Sequence, residues 1–178
     1  MDRRKFNRQA LLLSAGLVLG GQKVFAKTFL SAEQARQVMW PGLVMEAFEV
    51  SLTKSQMKSI KKASKTRVRS STLKGFKAKS GEYLIVDQVI GKHEFIDLAV
   101  GLDAQGQVKG IEVLTYRESY GDEIMNPKWR DQFTGRGAEV LILDQQIKNI
   151  SGATMSCRHV TDGVNRLTAT WQQVLQYV

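Results

Sequence analysis

The sequence predicts an α+β domain, a twisted antiparallel sheet flanked by helices, on three observations. Around residues 95–100 the chain alternates at the strand period, with Phe95, Asp97 and Ala99 set against Ile96, Leu98 and Val100. The segment "DAQGQ" is a tight reversal in which Gly106 supplies the positive φ, so "EFIDLAVGLD" and "VKGIEVLTY" pair as a hairpin. Near the C-terminus Val160, Val164, Leu167, Trp171 and Val174 recur at helical spacing and form one apolar face.

The remaining elements follow in chain order. Residues 1–26 combine a charged start, "DRRKFNR", with a short apolar run, "ALLLSAGLVLGG", and a small residue at a cleavage point, "KVFA". That is the pattern of an export signal, and Arg3 and Arg4 make it twin-arginine-like. The apolar run is too short to span a hydrocarbon core comfortably, so cleavage after Ala26 is expected, with a retained N-terminal anchor as the alternative. The chain has 178 residues, and the part after the signal suits one domain with a sizeable core.

Residues 27–80 read as a helical, basic extension and residues 81–178 as the main domain. "SAEQARQVMW" opens on a capping box, Ser31 with Gln34, and stops at Pro41 and Gly42. "FEVSL" is a short strand. "TKSQMKSIKKAS" repeats the box with Thr53 and Gln56, and Leu52, Met57, Ile60 and Ala63 make its apolar stripe. Downstream come a strand in "GEYLIVDQVIG", the hairpin, a loop "YRESYGDEI", a short helix in "NPKWRDQFTG", a strand in "AEVLIL", and a final helix from about Arg158.

Composition excludes several functions. Cys157 is the single cysteine and there are two histidines, which leaves no disulfide, no haem attachment and no ligand set for a metal. The net charge of +9 is unevenly placed: residues 51–80 hold ten basic and no acidic side chains, whereas residues 81–178 hold nine basic and thirteen acidic. The basic block reads as a solvated face, as a docking surface for an acidic redox partner, or as a contact for anionic lipid. Nucleic acid is not expected, because export removes the target and only Phe76 interrupts the block as a stacking residue.

The chemistry concentrates in "SGATMSC", residues 151–157. Gly152 and Ala153 leave room beside the Thr154 hydroxyl. Free N–H groups at a helix start favour an anion, and Ser151 and Ser156 add hydroxyls. Neither a phosphate-binding Gly-Lys-Ser/Thr loop nor a Gly-x-Ser-x-Gly nucleophile turn is present, and an ordinary Ser/Thr helix cap is the competing reading.

The hexapeptide "SGATMS" resembles the flavinylation motif of the FMN-binding domain family found in Rnf and sodium-translocating NADH:quinone reductase electron-transport subunits. "VGLDAQGQVKGIEVL" is similar to that family's central hairpin and "QFTGR" to its Phe-x-Gly-Lys/Arg element. "YRESYG" stands where the family often has Glu-Thr-Pro-Gly and keeps only Glu118 and Gly121 of it. The likeness covers roughly residues 81–178. It implies FMN joined to Thr154 by a phosphoester, installed by a magnesium-dependent flavin transferase with FAD as donor. The flavin surroundings would be Ser151, Gly152, Ala153, Met155, Ser156, Glu118 and Gly121. No catalytic residue is implied, and no metal bound by the chain itself. The resulting expectation is a periplasmic electron carrier served by a membrane-associated redox donor, such as a cytochrome or a quinol-linked protein. A non-covalent flavin or anion scaffold and a small flavin reductase are the alternatives.

Overall fold

A computed structural model describes residues 27–137 and 139–178; the export signal expected over residues 1–26 lies outside the described residues. Six strands form one antiparallel sheet: β1 (Lys27–Thr28), β2 (Met45–Ser51), β3 (Thr72–Ala78), β4 (Tyr83–Ile90), β5 (Phe95–Leu102) and β6 (Val108–Tyr116). Their order is β1-β6-β5-β4-β3-β2, a meander from β2 to β6 with the short β1 added at the far edge. Helices α1 (Ala32–Met39), α2 (Lys54–Ser64), α3 (Pro127–Arg130) and α4 (Thr154–Gln173) complete the fold. Among the described residues no helix is long and apolar enough to cross a membrane.

The period-2 pattern decides which face each strand residue serves. Ile96, Leu98 and Val100 join Tyr83, Ile85, Ile111 and Val113 in the main core, beneath α2 and α4. The opposite face is a smaller core in which α1, through Ala35 and Met39, covers Leu84, Ala99 and Leu114. Both capping boxes form: Ser31 Oγ accepts from the Gln34 amide at 3.1 Å, and Thr53 Oγ1 accepts from the Gln56 amide at 3.2 Å. The hairpin turn is as expected at Gly106, whose φ is +76°, and Trp171 packs so close that a Cβ there would lie 2.2 Å from its ring.

Three features differ from the sequence reading. Residues 27–80 are not a helical extension. Beside the two helices and the strand expected at "FEVSL", now β2, they supply β1 and β3, and the basic residues Lys74 and Lys77 lie on β3. Lys and Gly weaken the strand signal of "TLKGFKA", and the partner strands β2 and β4 override it. Glu139 to Leu143 of "AEVLIL" do not form a strand either. The Leu141 amide donates to Asn165 Oδ1 at 2.9 Å and its carbonyl accepts from Asn165 Nδ2 at 2.8 Å, so a side chain of α4 replaces a neighbouring strand. Finally, α4 is buried well beyond one stripe, with Thr161, Asn165, Arg166, Thr168 and Thr170 all enclosed. Thr161 and Thr170 satisfy their hydroxyls on carbonyls one turn back, each at 2.7 Å.

Arg166 is held by Asp87 of β4, with side chains 8% and 19% exposed. Removing one partner of such a pair strands the other charge. Asp87→Ala is therefore expected to destabilise the domain by about 3 kcal/mol in urea or thermal unfolding, with much of the loss recovered by adding Arg166→Met.

Candidate functional site

Thr154 is the first residue of α4, not part of a preceding loop as the Arg158 start implied. Helical periodicity counted from Val160 misses this because the inner face continues through small residues, Cys157 and Ala153, both buried. The helix stops growing backward at Gly152, whose φ is +89°. The N-cap position falls to Ala153, with φ −113° and ψ 15°, and no side chain caps the first turn. That turn contains no acidic residue. The competing reading of an ordinary Ser/Thr cap is therefore removed, and a 20-residue helix presents uncapped N–H groups beside the Thr154 hydroxyl.

These groups open into a cavity of about 500 Å³ walled by three segments. One is Gly152 to Ser156. The second is the β4–β5 turn, with Lys92 and His93, and the third is the loop after β6, with Glu118, Ser119 and Tyr120. Of the expected site residues, Gly152, Ala153, Thr154, Met155, Ser156 and Glu118 line the cavity. Ser151 is exposed and outside that lining, and Gly121 lies behind it. Lys92, His93, Ser119 and Tyr120 were not expected. The first two arrive through the pairing of Ile90 with Phe95, which no local motif announces.

The walls are braced across one another and from the sheet behind them. Glu118 Oε1 accepts from the backbone amides of His93 and Glu94, the latter at 2.9 Å, and so clamps the β4–β5 turn. Tyr116 donates its hydroxyl proton to the Tyr120 carbonyl at 2.6 Å. With that proton committed, the 3.0 Å contact between Tyr116 Oη and Ser156 Oγ has Ser156 as donor. The single proton of Ser156 thus points at Tyr116 rather than into the cavity, and ties α4 to β6. Burial, ahead of the nearby carboxylates, pushes the Tyr116 hydroxyl up to about 12, so it stays a donor at any physiological pH. Burial also raises the Cys157 thiol, which is 0% exposed and takes no part in the cavity. Trp129 lies in the core, its Nε1 donating to the Lys148 carbonyl at 2.7 Å.

Thr154 Oγ1 accepts from Asn149 Nδ2 at 3.1 Å, while Asn149 Oδ1 is buried with no hydrogen-bond partner among the described residues. Leaving such an atom unpaired costs about 1–3 kcal/mol. Two largely apolar side chains stand at the rim: Tyr120, 85% exposed, and Met155, 40% exposed. An uncapped helix start, a hydroxyl in its first turn, room for a large ring and apolar flanks suit a flavin nucleotide phosphate.

Residues 91–169 match the profile of a family described as the FMN-binding domain. This stretch is an FMN-binding domain. It contains all three walls of the cavity, together with β5, β6 and most of α4, while β2, β3 and α2 precede it. Among solved structures the chain is similar to one subunit of the sodium-translocating NADH-quinone reductase of Parabacteroides distasonis ATCC 8503. The identity is 16%, 82% of this chain and 84% of that one are covered, and the TM-score is 0.56, a likeness of fold. No curated protein matches the chain significantly. The α+β architecture is thus shared with a solved structure, and the FMN-binding match agrees with the cofactor class the cavity suits.

Proposed function

We propose that this chain is an exported electron carrier whose FMN is joined to Thr154 through a phosphoester, attached by a magnesium-dependent flavin transferase that draws on FAD. The observation that carries the reading is the uncapped start of α4, with the Thr154 hydroxyl in its first turn and open space beside it. An ordinary helix start satisfies its first N–H groups with a Ser, Thr, Asp or Asn side chain. Here Ala153 and Gly152 cannot, and an ester phosphate would take those donors. FMN supplies electron-transfer chemistry when bound; the chain holds it, exposes it and excludes water from one side. Met155 and Tyr120 offer the apolar flanks for its ring. Glu118 keeps the β4–β5 turn, and with it Lys92 and His93, at the cavity wall. The export signal read in residues 1–26 supports a periplasmic location. A tether suits a carrier in dilute surroundings, where a loosely held cofactor would be lost.

Intact mass of protein purified from its own envelope fraction tests this reading. The expected gain is one FMN less one water, and the denatured band fluoresces under ultraviolet light. A flavin that leaves on denaturation would make the protein a non-covalent binder instead.

A membrane-associated redox donor with an acidic face is the partner that the charge pattern favours. Lys54, Lys58, Lys61, Lys62, Lys65, Arg67 and Arg69 are exposed, and none forms an ion pair among the described residues. Lys65, Arg67 and Arg69 share a cleft with His159 of α4, little more than a turn beyond Thr154. Such a face raises encounter rates with anions and is screened by salt. Oxidation of the reduced protein by ferricyanide is expected to slow several-fold on raising salt, whereas oxidation by cationic hexaammineruthenium(III) is expected to quicken. Equal salt responses for both probes would leave the face without a steering role.

A further inference from the structure

We propose that Asn149 is the positioning residue for Thr154, holding its oxygen in line for esterification and then bonding the ester oxygen; this rests on the covalent reading above. Asn149 Nδ2 donates to Thr154 Oγ1 at 3.1 Å, and Asn149 Oδ1 is the buried side-chain atom without a partner among the described residues. Turning the amide by half a revolution exchanges the two atoms but still leaves one of them buried and unpaired. A polar atom kept buried beside a reactive hydroxyl calls for a reason beyond folding.

The two states of Thr154 supply that reason. As a free hydroxyl, Thr154 carries one proton, and Asn149 Oδ1 can accept it, turning the oxygen lone pairs toward the cavity. As an ester, Thr154 Oγ1 has no proton and can only accept, and Asn149 Nδ2 then donates to it. In the step itself the bond from Thr154 Oγ1 to the FMN phosphorus of FAD forms and the phosphoanhydride bond breaks. AMP leaves, and the hydroxyl proton passes to the transferase or solvent; no electrons are exchanged. Asn149 transfers no proton and is not a catalytic residue. An amide meets both hydrogen-bonding demands without adding charge next to a phosphate, whereas a carboxylate would repel the phosphate and could not donate.

The test follows attachment by intact mass over time, in full-length protein incubated with the transferase, FAD and magnesium. Wild type is compared with Asn149→Ala and with Asn149→Asp, which keeps the shape, and each is also melted. The expected result is an attachment rate at least about tenfold lower in both variants, with the melting temperature of Asn149→Asp close to wild type. Attachment at the wild-type rate in either variant overturns the proposal. So does a rate loss that follows a fall in melting temperature across the two, which is what a purely structural strut would give. Wild type that gains no flavin mass fails the covalent reading itself, and the role of Asn149 falls with it. Wild type that is loaded alongside equally loaded variants removes only the role of Asn149.

Discussion

Thr154→Ala is expected to abolish covalent FMN while leaving a folded protein. The hydroxyl is the only part of Thr154 that can form the ester, so no partial attachment should remain after co-expression with the transferase. The structural loss is small by comparison. Thr154 Oγ1 accepts one hydrogen bond, from Asn149 at 3.1 Å, worth about 1 kcal/mol. Alanine is the better helix former at that place, which offsets part of it. For a domain of this size the melting temperature should fall by roughly 2–4 °C at most. Thr154→Ser should restore attachment, because it returns the hydroxyl in the same turn. Covalent flavin on the alanine variant, seen by intact mass, would mean that another residue is esterified.

Gly121→Ala is expected to have the largest effect on stability of any single methyl added near the cavity. The residue adopts φ +91° and ψ 17°, where an L side chain is strained by about 1–2 kcal/mol. A Cβ there would also meet Tyr116 Oη at 2.8 Å and Ser156 Oγ at 3.0 Å. Neither atom can retreat easily, since Tyr116 is also bonded to the Tyr120 carbonyl. Forcing them apart adds about 1–3 kcal/mol, for a total of about 3 kcal/mol and a melting temperature lowered by roughly 10 °C. The same displacement breaks the Ser156–Tyr116 bond that ties the start of α4 to β6, so attachment at Thr154 should slow as well. A variant that melts with wild type would show that this corner is not the brace described here.

Both expectations fall on residues that a linear reading singled out, yet for reasons it did not contain. Gly121 stood out as one of two positions of the Glu-Thr-Pro-Gly-like loop that agree, but its role is steric, behind the cavity rather than in it. Glu118, the other, clamps the β4–β5 turn through two backbone amides. Ser156 matched the motif, and its proton proves to serve Tyr116. Lys92, His93 and Tyr120 carried no signal, because strand pairing and the path of the loop after β6 bring them to the cavity. Asn149 carried none because its bond to Thr154 is set by the fold of the turn between them.

Local chemistry alone determined a good part of this protein. The capping boxes at Ser31 and Thr53, the hairpin at Gly106, the alternation in β5 and the small-residue turn before Thr154 depend on neighbours within a few positions, where side-chain type and spacing suffice. Tertiary structure decided the rest. Residues 72–78 became a strand because two partners offered hydrogen bonds, and residues 139–143 did not, the Leu141 backbone bonding the Asn165 side chain instead. The start of α4 was settled by burial of Ala153 and Cys157, and three segments distant in sequence met to make one cavity. Pairing and enclosure are long-range conditions, and a chain read residue by residue does not state which of its parts will come together to meet them.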